Sequence, residues 1–456
     1  MLYGMAESDP SSLGVVFRMN TDGNGYTNLH TFTRTDGEAP KGSLLLNGTT
    51  LYGMTANGGA ALNGVLFKMN TDGSGYTVLH NFGVTAGDGA LPYGALILKG
   101  SKLYGMTKAG GVAGNGVLFE IKTDGTGYRW LHRFAGAPNE GAHPYGTLTP
   151  IGQTLYGMTF NGGATDQGTV FSWHIRTALN DFDGDGNSDP AAYYPPGGMW
   201  YLQLSGGNAT NIQWGFPNTV TVPADFNGDG KMDLGIFYNT TGRWYIRTLA
   251  GNVLAWDYNW GWPGAVPVPG DYDGDGSDDL SVFDSNTGNW FIYSLAKSSV
   301  FAWNDNWGWK GATPVSGDYD GDGASDVAVM DKPTGDWYIF SPARHTVLAW
   351  KMNWGWNGAI PVPGDFDGDG ASDLTVYDKN TYRWYSYSVA KTNVITWNVN
   401  WGFAGAKPVW GDYDGDGKSD LTVFNPANAW WYNLKSGDGT IRSQQWGVPG
   451  AVPVQP

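Results

Sequence analysis

Six stretches of this chain share the pattern D-x-D-G-D-G-x-x-D, with Asn in place of one Asp. They place oxygen-bearing residues at alternating positions around glycines. The first runs through Asp181, Asp183, Asp185, Asn187 and Asp189, and the second through Asp225, Asn227, Asp229, Lys231 and Asp233. The third holds Asp271, Asp273, Asp275, Ser277 and Asp279, and the fourth Asp318, Asp320, Asp322, Ala324 and Asp326. The last two hold Asp365, Asp367, Asp369, Ala371 and Asp373, then Asp412, Asp414, Asp416, Lys418 and Asp420. Calcium takes roughly 6–8 hard oxygen ligands at about 2.3–2.6 Å and tolerates irregular geometry. Positions one, three, five and nine supply side-chain oxygens, and the glycines permit the sharp turn. Position seven varies from Asn to Lys, Ser and Ala, as a backbone carbonyl ligand allows. Magnesium, which keeps its waters and uses fewer protein ligands, suits the pattern less well.

An EF-hand would carry Glu at position twelve and a helix after it. Here position twelve is Ala192, Ile236, Val282, Val329, Val376 and Val423, all in β-prone runs. A single Asp-Gly turn in water would explain one copy of the pattern but not six. Positions one, three, five and nine of the loops hold 23 of the chain's 42 acidic residues, and six divalent ions would reduce the formal charge from −16 to −4. The acidity is therefore mostly ligand. The expected cofactor is Ca2+, about six ions per chain.

The loops need strands to hold them. They begin 44, 46, 47, 47 and 47 residues apart. Each is followed by an apolar run such as LSVFD, an aromatic run such as WFIYSL, a third run such as VFAW, and a WGWPGAVPV-like segment that leads into the next loop. No sustained helical period appears. Four strands per unit is the size of a β-propeller blade. The final AVPVQP matches the strand that precedes each loop, and the loop at Asp181 lacks that strand. The prediction is an all-β chain with a C-terminal six-bladed ring over 177–456, closed by its last strand.

Residues 1–176 carry a second repeat. LYGM recurs at Leu2, Leu51, Leu103 and Leu155, and the second copy contains the runs SLLL, LYGMT, GVLFKMN and YTVLHNF. This predicts an array of about four blades, the first lacking its leading strand and the fourth its last. Three arrangements fit: a small ring, an arc, or a set completed by further residues or a neighbouring chain.

The motif WGWPGAVPVPGDYDGDGSDDL resembles the FG-GAP/VCBS-type repeats of integrin-alpha-like β-propellers, over about 178–456. LYGMT…GVLFKMNTDG is similar to the Gly-rich GloVer-type tandem repeats of large bacterial surface proteins, over about 1–176. The first resemblance implies calcium in a loop between the first two strands of each blade. Together they imply an extracellular or cell-surface location.

Composition narrows the function. The chain has no Cys, which removes disulfides and Cys-ligated zinc, and no apolar run of about 18 residues, so no membrane insertion is expected. An acidic chain is a poor nucleic-acid partner. It begins MLYGMAES, without a basic-then-apolar leader, so an exported form would carry its signal outside this chain. No nucleophile–base constellation stands out, and no enzyme is expected. His30, His80 and His132 occupy equivalent sites, which fits a structural role in each blade or a shared axial metal. The leading reading is a non-catalytic adhesion, binding or scaffolding module with a protein or glycan surface ligand. One alternative is a multivalent lectin using Trp260, Trp307, Trp354 and Trp401, with Trp262, Trp309, Trp356 and Phe403 beside them; blade-to-blade packing is the simpler use of these rings. Another is a fibre subunit that self-associates through its incomplete N-terminal blades.

Overall fold

The structure, a computed structural model, describes residues 1–7, 13–99, 102–138, 140–151, 154–175, 179–205 and 207–455. Among them every regular element is a strand. The chain divides into the units Met1–Trp173 and His174–Pro456.

The second unit contains six four-stranded antiparallel sheets. In the third, Val266–Pro267, Leu280–Asp284, Asn289–Ser294 and Ser299–Asn306 pair in that order. The sequence explains each level of burial. The LSVFD strand packs on both faces, with Leu280, Ser281, Val282 and Phe283 all buried. The next strand alternates: Trp290 and Ile292 are fully buried on one face, while Phe291 and Tyr293 meet the preceding blade on the other. The outer strand is mostly exposed, with Ala302 its one buried residue. Each blade repeats one anchor. The Nε1 of Trp200, Trp244, Trp290, Trp337, Trp384 and Trp431 donates to the carbonyl of Trp214, Trp260, Trp307, Trp354, Trp401 and Trp446 at 2.6–3.0 Å. Gly288 must be glycine: its φ is +80°, and a Cβ would lie 2.1 Å from the Gly308 carbonyl carbon, where the WGW segment crosses the turn.

Two features join the sixth blade to the first. Val452–Pro453 pairs with Ala191–Tyr194, matching Ala192 with Pro453 and Tyr193 with Val452. The N–H at loop position eight also donates to the position-one carbonyl of the preceding loop. These bonds run Met232 to Asp181, Asp278 to Asp225, Ser325 to Asp271, Ser372 to Asp318, Ser419 to Asp365 and Ser188 to Asp412, all at 2.5–2.8 Å. The last of them closes the cycle.

Val454 is fully buried beside Phe182, Ala191 and Trp200, whereas Val452 is 40% exposed. Replacing Val454 with Asp would bury an unpaired carboxylate and is expected to cost about 3 kcal/mol or more. Val452→Asp should cost under about 1 kcal/mol. Urea melts of the two variants check this, and equal midpoints would refute the closing role of the strand.

In the first unit, Leu2–Ala6, Val15–Met19 and Thr27–Thr31 form a three-stranded sheet, and three four-stranded sheets and one two-stranded sheet follow among the described residues. The leading SLLL run is a strand only over Leu45–Asn47. One element was not legible in the sequence: Gly89–Ala90 pairs with Ala109–Gly110, and Gly141–Pro144 pairs with Thr154–Gly162. Within this unit the tail of one repeat is thus held by the next. The three equivalent histidines serve the same purpose. His30 and His80 lie 3.3 and 3.0 Å from Asp36 and Asp88 and stack on Tyr76 and Tyr128, while His132 pairs with Glu140. They form no shared metal site among the described residues.

Candidate metal centre

Five of the acidic loops join the first strand of a blade to its second, the loop at Asp181 leads into a strand whose partner is Val452–Pro453, and in each the loop's own backbone aims its carboxylates. The Oδ2 of position one accepts the N–H of the second glycine at 2.6–2.8 Å in all six loops. The Oδ2 of position nine accepts the N–H of position two at 2.7–3.0 Å. These are turns of the kind Asp forms with its own backbone, built six times by the same sequence.

The structure gathers positions one, three and nine. In five loops, one carboxylate oxygen from each of the three lies within 4.8 Å of the others: Asp181, Asp183 and Asp189; Asp271, Asp273 and Asp279; Asp318, Asp320 and Asp326; Asp365, Asp367 and Asp373; Asp412, Asp414 and Asp420. The second loop has Asn227 at position three, so Asp225 and Asp233 share that corner with an amide. Position five stands apart from the triads. Asp185, Asp229, Asp275, Asp322, Asp369 and Asp416 turn their Oδ1 back to the N–H of Asn187, Lys231, Ser277, Ala324, Ala371 and Lys418 at 2.9–3.0 Å.

Position nine is at most 1% exposed in every loop. Burial, the largest cause, together with nearby carboxylates pushes Asp189, Asp233, Asp279, Asp326 and Asp373 up to about 8. Asp181 and Asp271 rise to about 7, and Asp420 to about 6, again chiefly through burial. Asp373 is fully buried, and its Oδ1 has no hydrogen-bond partner. A buried, unpartnered carboxylate oxygen that faces two more carboxylates suits a hard cation. The donor set fits calcium.

Three cations approach these loops from a distant turn of the same blade. Lys297 lies 2.9 and 3.5 Å from Asp273 and Asp275. Arg344 lies 3.3 and 3.1 Å from Asp320 and Asp322, and Lys391 lies 2.8 and 3.4 Å from Asp367 and Asp369. No local pattern signals this, because the residues are 22 to 24 positions from their partners and meet them only through strand pairing. In the other three blades the equivalent positions are Gly207, Gly251 and Asp438. Asp278 was also missed. It stands at position eight, where four loops have Ser, and its carboxylate accepts the Asp225 N–H at 2.6 Å.

The lectin alternative placed two aromatic residues per blade at the surface, but most of these rings pack. Trp260, Trp307, Trp354 and Trp401 are half-buried, and their Nε1 groups donate across the blade boundary to Phe291, Tyr338, Tyr385 and Tyr432 at 3.1–3.4 Å. Trp262, Trp356 and Phe403 are half-buried too, and Trp309 is 36% exposed. The exposed set is another one: Trp256, Trp303, Trp350 and Trp397 on the outer strands, 65–69% exposed.

The fold and these loops define an all-β repeat protein of the β-propeller class. Residues 1–213 match the Gloeobacter/Verrucomicrobia repeat, a span that runs past the first unit and through the first acidic loop. No curated protein matches the chain. Similar solved structures include TolB from Acinetobacter baumannii (13% identity, TM-score 0.42, covering 67% of this chain and 81% of that one). An Agrocybe aegerita lectin that recognises non-reducing terminal N-acetylglucosamine is 16% identical (TM-score 0.38, 57% of this chain and 76% of that one). The extracellular domain of a putative one-component system, BT4673 from B. thetaiotaomicron, is 10% identical (TM-score 0.31, 94% of this chain and 57% of that one).

Proposed function

We propose that this protein is a non-catalytic binding or scaffolding module of the cell exterior, whose C-terminal blades are stabilised by calcium. The observation that supports the reading most strongly is the recurrence of one Asp triad in five loops, with a fully buried, unpartnered oxygen at Asp373. Calcium outside cells is abundant enough to fill weak, rigid sites. The FG-GAP/VCBS resemblance of the C-terminal repeats agrees with this, as does the absence of any helix, among the described residues, long and apolar enough to cross a membrane. Twenty-three of the 42 acidic residues stand at the ligand positions of the loops, in keeping with a non-catalytic reading.

Calorimetric titration of the metal-free chain with calcium tests the proposal. Five to six ions should bind, in two affinity classes. The loops near Lys297, Arg344 and Lys391 should be the weaker class, because a tethered cation must withdraw before the ion enters. Substituting all three with Ala should tighten that class about tenfold, the effect of removing about 1.4 kcal/mol of competing attraction. No binding at millimolar calcium would end the proposal.

A further inference from the structure

The outer strands of blades two to five carry a bulge directly after the exposed Trp. Its residues are Asp257, Asn304, Lys351 and Asn398, all at φ between +53° and +65°. The next residue lies opposite the buried Trp of its own blade and faces the following blade. In three blades it is apolar or aromatic: Tyr258, Met352 and Val399, opposite Trp244, Trp337 and Trp384. Tyr258 meets Tyr293 of the next blade at a ring distance of 5.5 Å, and Met352 packs into the core between blades four and five. In blade three the residue is Asp305, opposite Trp290. The short carboxylate fills less space than its counterparts, and a cleft of about 500 Å³ lies between blades three and four. Ligand pockets span roughly 300–1,000 Å³.

The lining decides what the cleft suits. Phe301, Trp307 and Phe340 give aromatic walls, and Asn304, Asp305 and His345 give hydrogen-bonding groups beside them. The Trp307 Nε1 is committed to the Tyr338 carbonyl at 3.1 Å, and its ring packs 5.3 Å from that of Phe340, so the two form one aromatic wall. The Asn304 amide is steadied by Asn289 at 2.7 Å. No Lys or Arg lines the cleft, and a carboxylate does, which disfavours anionic ligands. Aromatic faces beside hydroxyl-binding groups match a pyranose ring, which has an apolar C–H face and a polar rim. We infer that this cleft binds a neutral saccharide of one or two rings. The inference rests on reading the chain as a binding module and supplies the chemical class of its ligand.

The test is a glycan array probed with the full calcium-loaded chain, with neutral, uronic-acid and sialylated glycans as separate arms, followed by titration with any glycan that binds. Neutral glycans should bind, and acidic ones should bind at least tenfold more weakly. Asp305→Tyr, which installs the side chain found at position 258, should weaken binding at least tenfold. Its melting temperature should stay within about 2 °C of the parent, since Asp305 is exposed. His345→Ala, at an exposed turn, should weaken binding severalfold. The inference is overturned if no neutral glycan binds, if acidic glycans bind best, or if Asp305→Tyr binds like the parent. Calcium-dependent melting would be unaffected by those outcomes, so the reading as a calcium-stabilised module stands or falls separately.

Discussion

Removing calcium is expected to lower the melting transition of the His174–Pro456 unit by about 15 °C or more. A ligand held at ten times its dissociation constant stabilises the folded state by about 1.4 kcal/mol per site, so five such sites give about 7 kcal/mol. For a unit of this size each kcal/mol moves the midpoint by about 2–4 °C. Without the ion, each triad leaves carboxylates crowded within 4.8 Å in a buried corner. Scanning calorimetry with and without a chelator measures the effect. The Met1–Trp173 unit holds no comparable cluster among its described residues, so its transition should stay in place and serve as an internal control. Superimposable scans would refute calcium binding.

The second large effect is an inversion of pH dependence. In the metal-free protein, burial raises Asp189, Asp233, Asp279, Asp326 and Asp373 from the ordinary 3.8 to about 8. Between those values the folded state holds more protons than the unfolded chain, so stability falls as pH rises. The metal-free midpoint should therefore be highest near pH 4–5 and drop by about 10 °C or more by about pH 8.5. With calcium bound the same carboxylates must be ionised, and protons compete with the ion. The loaded midpoint should then fall as the solution is acidified. Two melting series, one in saturating calcium and one in protein stripped by dialysis, should cross. A metal-free midpoint that is flat or rises from pH 5 to pH 8 would show that the carboxylates are not buried as described.

Much of the acidic loops' geometry was legible because it is local. An Asp at position one reaches the N–H five residues on, and an Asp at position nine reaches back to position two. Such contacts lie within one turn, so the order of residues is enough to imply them. Repetition then separated a designed loop from an ordinary Asp-Gly turn. The matching of AVPVQP to the gap before Asp181 was legible for the same reason: repeats differ visibly where one is incomplete. The tethered cations and Asp278 were not legible, because their partners lie 22 to 53 residues away.

The tryptophans show where sequence reasoning stops. Strand alternation assigns a residue to one of two faces, but a bulge shifts that assignment by one residue. The shifts beside Trp303, Trp350 and Trp397 belong to strand pairing, and they leave those rings in solvent while Trp307, Trp354 and Trp401 bond to the next blade. The sequence by itself determined the repeats, the all-β class and the clustering of Asp in the acidic loops, since each depends on residues adjacent in the chain. Only the tertiary structure decided which carboxylates converge, which cations reach them, which aromatic rings face water, and that Asp305 borders a cleft. Those outcomes depend on neighbouring blades, whose contacts no local pattern records.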